Sequence, residues 1–328
     1  MTINLKIAAP LAAAALAMSA SMTFAADVKW DMPMAYAASN YHSENGAQFA
    51  KEVTEASGGK LEIVAHPGGS LFKGDEIFRA VRTGQAQIGE RLISALGNED
   101  PLFEIDSLPF LATSFAEARK LYDATKPELQ KILGEKGMTL LYTVPWPPQG
   151  LYSKTEVNSL ADMKGVKFRA YNAATSRLAE LMGAVPTKIE AAEMSQAFAT
   201  GAVESMVSSG STGVDRKLWE HTKYWYNVQA WLPKNMVIVN NEAWAKLDEA
   251  TQTVVLEKAA EAETRGWATA EAGAQKDLET LASNGMTVGE ASDTLKADFA
   301  KVGETMTEEW LAKAGETGKA AIDAYKAN

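Results

Sequence analysis

Lys164-Gly165-Val166-Lys167-Phe168-Arg169-Ala170-Tyr171-Asn172-Ala173-Ala174-Thr175 reads as a short strand running straight into a helix. Val166 and Phe168 alternate with Lys167 and Arg169, which is the two-residue period of a strand. Asn172 suits a helix N-cap, and Ala174, Leu178, Leu181 and Met182 follow at helical spacing until Gly183. The order predicts Arg169 at the carboxyl end of a strand, beside the amino end of a helix. Open α/β sheets place their ligands there. A guanidinium and free backbone N–H groups converge at such a point, and both favour an anion. On position alone a solvated or surface-paired arginine is the competing reading. Gripping the carboxylate of a small ligand is the reading that the rest of the chain supports.

Outward from this segment the pattern repeats. Val28 to Met32, Leu61 to Val64 and Gln87 to Glu90 read as strands, with helices over His42 to Ser57 and Asp75 to Thr83 between them. This alternation marks an α/β sheet. Pro101 to Leu111 reads as a loop or short strand. Ser114 to Gly134 reads as a helix broken at Lys126-Pro127, and Met138 to Val144 as a strand. Pro145-Trp146-Pro147-Pro148-Gln149-Gly150 resembles a stiff linker between two domains. A second strand–helix set runs from Leu151 to about Leu232, followed by a strand over Asn235 to Asn240. Asn241 to Ala282 is expected to be helical, long enough at ~1.5 Å per residue to touch both domains. A last helical region spans Ser292 to Tyr325.

The chain has 328 residues, enough for two cores, with 46% apolar and 23% charged residues. Met1 to Ala25 reads as a secretory signal: Lys6, an alanine-rich apolar run from Ile7 to Met18, and Thr23-Phe24-Ala25 before the cut. The run is short for a membrane anchor and has no basic stop behind it. After cleavage no membrane insertion is expected, and the site of action is the periplasm. The net charge is −10, which argues against nucleic acid as a partner. There is no cysteine, so thiol catalysis and cysteine-bound metal are excluded. His42, His66 and His221 are far apart and belong to no metal motif, so solvated or structurally satisfied histidines are expected, with no metal and no cofactor. No nucleophile elbow, P-loop or dinucleotide fingerprint is present.

Several features occur together: Gly84 with Ile88-Gly89, Leu108-Pro109-Phe110-Leu111, Leu160 to Arg169 with Asn172-Ala173, Gly183-Ala184-Val185-Pro186, Ala202-Val203-Glu204, and Val239 to Leu247. In order and spacing the chain resembles the extracytoplasmic solute receptors of TRAP (tripartite ATP-independent periplasmic) transporters. The resemblance implies a bilobal α/β protein, like other periplasmic binding proteins, closing on an organic acid and crossed by one long helix. It implies domains over 26–146 with 235–275 and over 147–234 with 276–328. It also implies delivery of ligand to the membrane permease subunits, and a monomer is expected. The family's carboxylate-binding arginine falls on Arg169 and its pocket asparagine on Asn172. A position often asparagine in the sialic acid receptor falls near Ser208 and Ser209, and a second pocket arginine falls near Gln149. Both are departures that speak against sialic acid.

Further candidates come from residue type and place. Trp146, Tyr152, Tyr171 and Trp231 are able to stack on a ring-bearing acid, or else they pack a core. Gln149 offers a hydrogen bond to a ligand oxygen. Arg91, beside Glu90 where the first domain meets the cleft, is a substitute for the missing arginine or part of a surface salt bridge. Asp75 either contacts a ligand hydroxyl or ammonium or caps a helix. Ser208 and Ser209 either donate to ligand or fill a turn, and Tyr36 to Tyr41 border the pocket. The alternatives to a transport receptor are an exported lyase or hydrolase, for which no acid–base pair is visible, and a ligand-presenting sensor component.

Overall fold

The computed structural model describes residues 27–327; the expected leader lies outside them. The first lobe opens with β1 (Val28–Pro33), α1 (Tyr41–Ala56) and β2 (Leu61–His66), the two strands lying parallel. Parallel strands need a crossover, and α1 supplies it. After α2 (Ile77–Arg82), β3 (Ile88–Leu92) forms one edge of a three-stranded sheet. α3 (Phe115–Glu135) then leads to β4 (Met138–Pro145) at the other edge. The strand between them, β10 (Lys234–Asn240), arrives from far down the chain and runs antiparallel to both.

The second lobe is one six-stranded sheet. In chain order it contains β5 (Gly150–Ser153), β6 (Lys167–Ala170), α4 (Ala173–Leu181), β7 (Val185–Lys188), α5 (Met194–Ala199), β8 (Ser205–Ser208), α6 (Gly210–Asp215) and β9 (Tyr224–Asn227). With β11 (Thr287–Glu290) the strand order is β11-β9-β5-β8-β6-β7. β6 is parallel to both neighbours, so its carboxyl end shares an edge with theirs. Asn172 caps α4: its Oδ1 accepts from the Thr175 N–H at 2.8 Å, and Thr175 Oγ1 accepts from the Asn172 N–H at 3.1 Å.

Two segments connect the lobes and pair with each other. Trp146 N–H donates to Pro233 O at 2.8 Å, Gln149 N–H to Trp231 O at 3.0 Å, and Ala230 N–H to Gln149 O at 3.0 Å. The proline-rich stretch is thus one half of a two-stranded crossing. Beyond β10 come the short helix α7 (Asn241–Trp244) and then α8 (Glu249–Ser283). The expected continuous helix from Asn241 is interrupted, because Asp248 caps a new start by accepting from Thr251 N–H at 2.7 Å. α8 has 35 residues, about 52 Å at 1.5 Å per residue. Val255, Ala259 and Ala262 pack in the first lobe, and Leu278 and Leu281 pack in the second. Gly266 lets it lie tight on β4: a Cβ there would collide with the Val144 methyls.

α9 (Asp293–Ala327) is shared as well, with an interruption at Gly315, φ +58°. Leu295, Phe299 and Val302 pack on the second lobe, whereas Trp310, Ile322 and Tyr325 join the core of the first. The division proposed from sequence, 276–328 wholly in the second domain, does not describe that packing.

Three local expectations are corrected. Pro101–Ser107 is a 3₁₀ helix, because Asp100 caps it through Leu102 N–H at 2.8 Å and Pro101 takes the first-turn position. α3 runs through Pro127 unbroken; the bond forfeited is to the carbonyl of Asp123, on the exposed side. α2 starts after Glu76, so Asp75 is not its cap.

Candidate functional site

Between the lobes lies a cavity with an empty volume of about 660 Å³, part of it open to solvent. Its floor is the carboxyl edge of the second sheet. Arg169 stands there, paired in register with Thr187 of β7 and Met206 of β8. Lys167, two residues earlier on the same face, is exposed; Arg169 is only 4% exposed because the first lobe covers this end of the strand.

The Arg169 Nε–H donates to Ile189 O at 3.0 Å, and the guanidinium carbon lies 5.1 Å from the centre of the Tyr171 ring. Tyr171 is held in turn by the Trp231 Nε1–H, which donates to its hydroxyl at 2.9 Å. Among the described residues no carboxylate lies within ion-pair distance of Arg169. Burial lowers its pKa to about 10, so it remains a cation at neutral pH. A buried cation without an acid partner costs free energy that a bound anion offsets.

The walls mix apolar and polar groups. Trp146, Leu92, Met194 and Pro233 are apolar neighbours of the cavity. Gln149 lines it too, with its amide turned to Pro147 O at 2.8 Å. Ser208 and Thr212 present hydroxyl-bearing side chains, and Asp215 with Arg216 closes the far side. Arg91 reaches in from β3 and faces Glu190 of the second lobe at 3.6 Å, which ties the two lobes across the opening.

Of the twelve residues singled out from sequence, Arg169, Tyr171, Trp146, Gln149, Arg91 and Ser208 line this cavity. The other six do not. Asn172 caps α4 and donates from Nδ2 to Ser94 Oγ of the first lobe at 3.0 Å. Trp231 sits behind Tyr171. Tyr152 is in the core of the second lobe, its hydroxyl donating to Ser209 O at 2.8 Å. Ser209 caps α6, accepting from the Thr212 N–H at 3.2 Å. Asp75 lines an outer vestibule with Lys73 and Lys188, which shares Tyr36, Arg91 and Glu190 with the inner cavity.

Glu90 lies behind the wall. Its Oε1 accepts from Asn235 Nδ2 at 2.6 Å, and burial raises its pKa to about 7. His42 is beside it, Nδ1 to Oε1 3.5 Å, with no hydrogen-bond partner on either ring nitrogen among the described residues. That departs from the satisfied histidine expected from sequence, and burial holds the imidazole well below its usual pKa. No group of three or more His, Cys, Asp or Glu among the described residues is placed to hold a metal. No helix among them is long and apolar enough to cross a membrane.

Glu190, Thr212, Asp215 and Arg216 were not anticipated. They sit after β7, in the six-residue α6 and, for Arg216, at its C-cap, elements too short to show a period. The one available signal was their place just beyond strand ends.

A family model for bacterial extracellular solute-binding proteins, family 7 (DctP), matches residues 34–314. The solved structure of the Bordetella pertussis extracytoplasmic solute receptor DctP6, binding pyroglutamic acid, is 49% identical. It covers 92% of this chain and 100% of its own, with a TM-score of 0.90. A marine metagenome TRAP solute-binding protein specific for pyroglutamate, solved with co-purified pyroglutamate, is also 49% identical. It covers 93% of this chain and 100% of its own, with a TM-score of 0.91. A solute-binding protein of Albidiferax ferrireducens is 30% identical over 179 residues, 53% of this chain and 52% of the relative, so that match spans about half of each.

Proposed function

The chain belongs to the bacterial extracellular solute-binding proteins of family 7, the solute receptors of TRAP transporters, and we propose that it captures a small cyclic carboxylate of the pyroglutamate kind. The family consists of receptors rather than enzymes, which sets aside the lyase and hydrolase readings. One observation carries the proposal: Arg169 is buried in the interlobe cavity, protonated at neutral pH and, among the described residues, without an acid partner.

In this reading the guanidinium receives the ligand carboxylate and fixes its orientation, while closure removes water from the pair. The Trp146 and Tyr171 rings bracket a flat ring, and the hydroxyls of Ser208 and Thr212 with Gln149 serve its remaining polar atoms. Arg91 adds charge at the mouth. Ligand bridging both lobes favours the closed state by its differential affinity for it. The two pyroglutamate-binding structures, each about half identical to this chain over more than nine-tenths of its length, support the choice of ligand. The loaded receptor, working as a monomer in the periplasm after export, then delivers the acid to the permease subunits.

Titration calorimetry of the purified protein with L-pyroglutamate, L-proline and L-glutamate tests this. Saturable binding of pyroglutamate, with proline and open-chain glutamate much weaker, is expected. Absence of binding by pyroglutamate and by other small carboxylates overturns the proposal.

A further inference from the structure

Behind the cavity wall runs a chain of buried polar contacts that ends on Trp146. The Trp146 Nε1–H donates to Asn235 Oδ1 at 2.9 Å, and Asn235 Nδ2 donates to Glu90 Oε1 at 2.6 Å. Trp146, Asn235 and Glu90 are each 5% exposed or less. The His42 ring packs against the indole with centroids 4.2 Å apart, and Tyr36 meets it edge-on at 4.8 Å. The indole is therefore clamped by rings, but rings alone do not fix its N–H.

The chemistry of the chain is directional. An asparagine amide has one acceptor end and one donor end. If Asn235 were turned over, its NH₂ would face the indole N–H, donor against donor. The Glu90 oxygen facing it is an acceptor, and that selects the orientation in which Oδ1 is left for the indole. Among the described residues the only basic group within ion-pair distance of Glu90 is the His42 imidazole, which burial disfavours as a cation, and Glu90 Oε2 is buried without any hydrogen bond. A buried polar group left this way costs stability, which calls for a role beyond packing.

We infer that Glu90 is a positioning residue for ligand binding: it orients the Asn235 amide, which holds the Trp146 indole as a ring wall of the cavity. Glu90 touches no ligand and acts wholly through Asn235 and Trp146. The inference rests on the reading of the cavity as a carboxylate site, but the relay itself exists in the unliganded protein.

The test is a double-mutant cycle read by calorimetry with pyroglutamate, together with the exchange rate of the Trp146 indole proton measured by NMR without ligand. E90L is expected to weaken binding roughly tenfold, since it leaves the Asn235 amide unoriented. Within W146F the same change is expected to cost less than about twofold, because the group it acts through is gone. E90Q, which still offers an acceptor, is expected to restore slow indole exchange and affinity within about threefold of the unaltered protein. N235A repeats the cycle from the middle of the chain and replaces E90L if that variant does not fold. An equal loss from E90L in both backgrounds overturns the relay, as does indole exchange unchanged by both E90L and N235A. If the unaltered protein binds no pyroglutamate, the functional reading fails there, and the ligand-free exchange rates still decide the relay.

Discussion

Asn172 of the second lobe donates to the Ser94 hydroxyl of the first at 3.0 Å while its own side-chain oxygen caps α4. One amide thus ends a helix and ties the lobes together. Both groups are buried, so the contact is formed only where the lobes meet. The two duties are separable by mutation. S94A removes only the tie and is expected to weaken ligand binding a few-fold with little change in melting temperature. N172A loses the cap as well and is expected to cost about 0.5–2 kcal/mol of stability. Calorimetry and thermal unfolding of the two variants distinguish these outcomes, and equal melting temperatures would refute the assignment.

Arg169→Ala removes the cation from a buried ion pair with ligand. Loss of one partner in such a pair typically costs ~2–5 kcal/mol, so affinity for pyroglutamate is expected to fall on the order of 30-fold or more. Arg169→Lys is also expected to bind poorly, since a point charge does not reproduce the planar fork or its stacking on Tyr171. Near-normal affinity in either variant speaks against the assignment.

Gly266→Ala tests how closely α8 must approach β4. The new methyl collides with the Val144 methyls and comes 3.0 Å from the Asn45 amide. Overpacking of this kind costs ~1–3 kcal/mol, against a helix-propensity gain of about 1. Net destabilisation in urea unfolding is expected; an unchanged or raised midpoint would show that the strut has slack.

Glu90 makes stability depend on pH. Its folded pKa, about 7, is raised by burial above the unfolded carboxyl value. Its contribution is complete below the unfolded pKa and is lost as pH rises through 7. His42, whose pKa burial lowers, acts in the opposite sense below its unfolded pKa, so a single profile of the unaltered protein mixes the two. The clean quantity is the difference between the unaltered protein and E90Q, expected to swing toward E90Q between pH 5 and 8. Urea unfolding of the pair at both values measures it, and a swing toward the unaltered protein contradicts the prediction.

Much of the fold was legible wherever a period or a cap was complete. The strand-to-helix turn at Arg169–Asn172 and the long helix ahead of Ala282 carry such signals, whereas Pro145 to Gly150 reads only as a linker and its pairing with residues 230–233 is seen in the structure. The site was legible in part. Arg169, Trp146 and Arg91 sit at element ends, where position can be argued from order alone. Tyr152 and Trp231 looked like ligand contacts because an aromatic side chain reads the same whether it packs a core or a pocket. Asp215 and Glu190 were missed because the short α6 and the turn after β7 are too brief to show a period, although both lie just beyond strand ends of the second lobe. The continuous α3 shows the same limit in reverse: Pro127 is a local breaker, but the packing of Leu121, Leu129 and Leu133 into the first core outweighs one lost hydrogen bond.

The mutual hydrogen bonding of residues 146–149 with 230–233 has a mechanical consequence. A zipped ribbon resists sliding along its length but yields to torsion at its ends. Opening that keeps these backbone bonds intact is expected to be a swing about the paired segments rather than a slide of one lobe past the other. The vestibule lined by Lys73 and Asp75 shares Tyr36, Arg91 and Glu190 with the inner cavity, and passage of solute is expected on that side. With such a hinge, the dwell time of a captured molecule is expected to follow the frequency of opening, so that a change at the rim lengthens the stay without adding any contact to the guest.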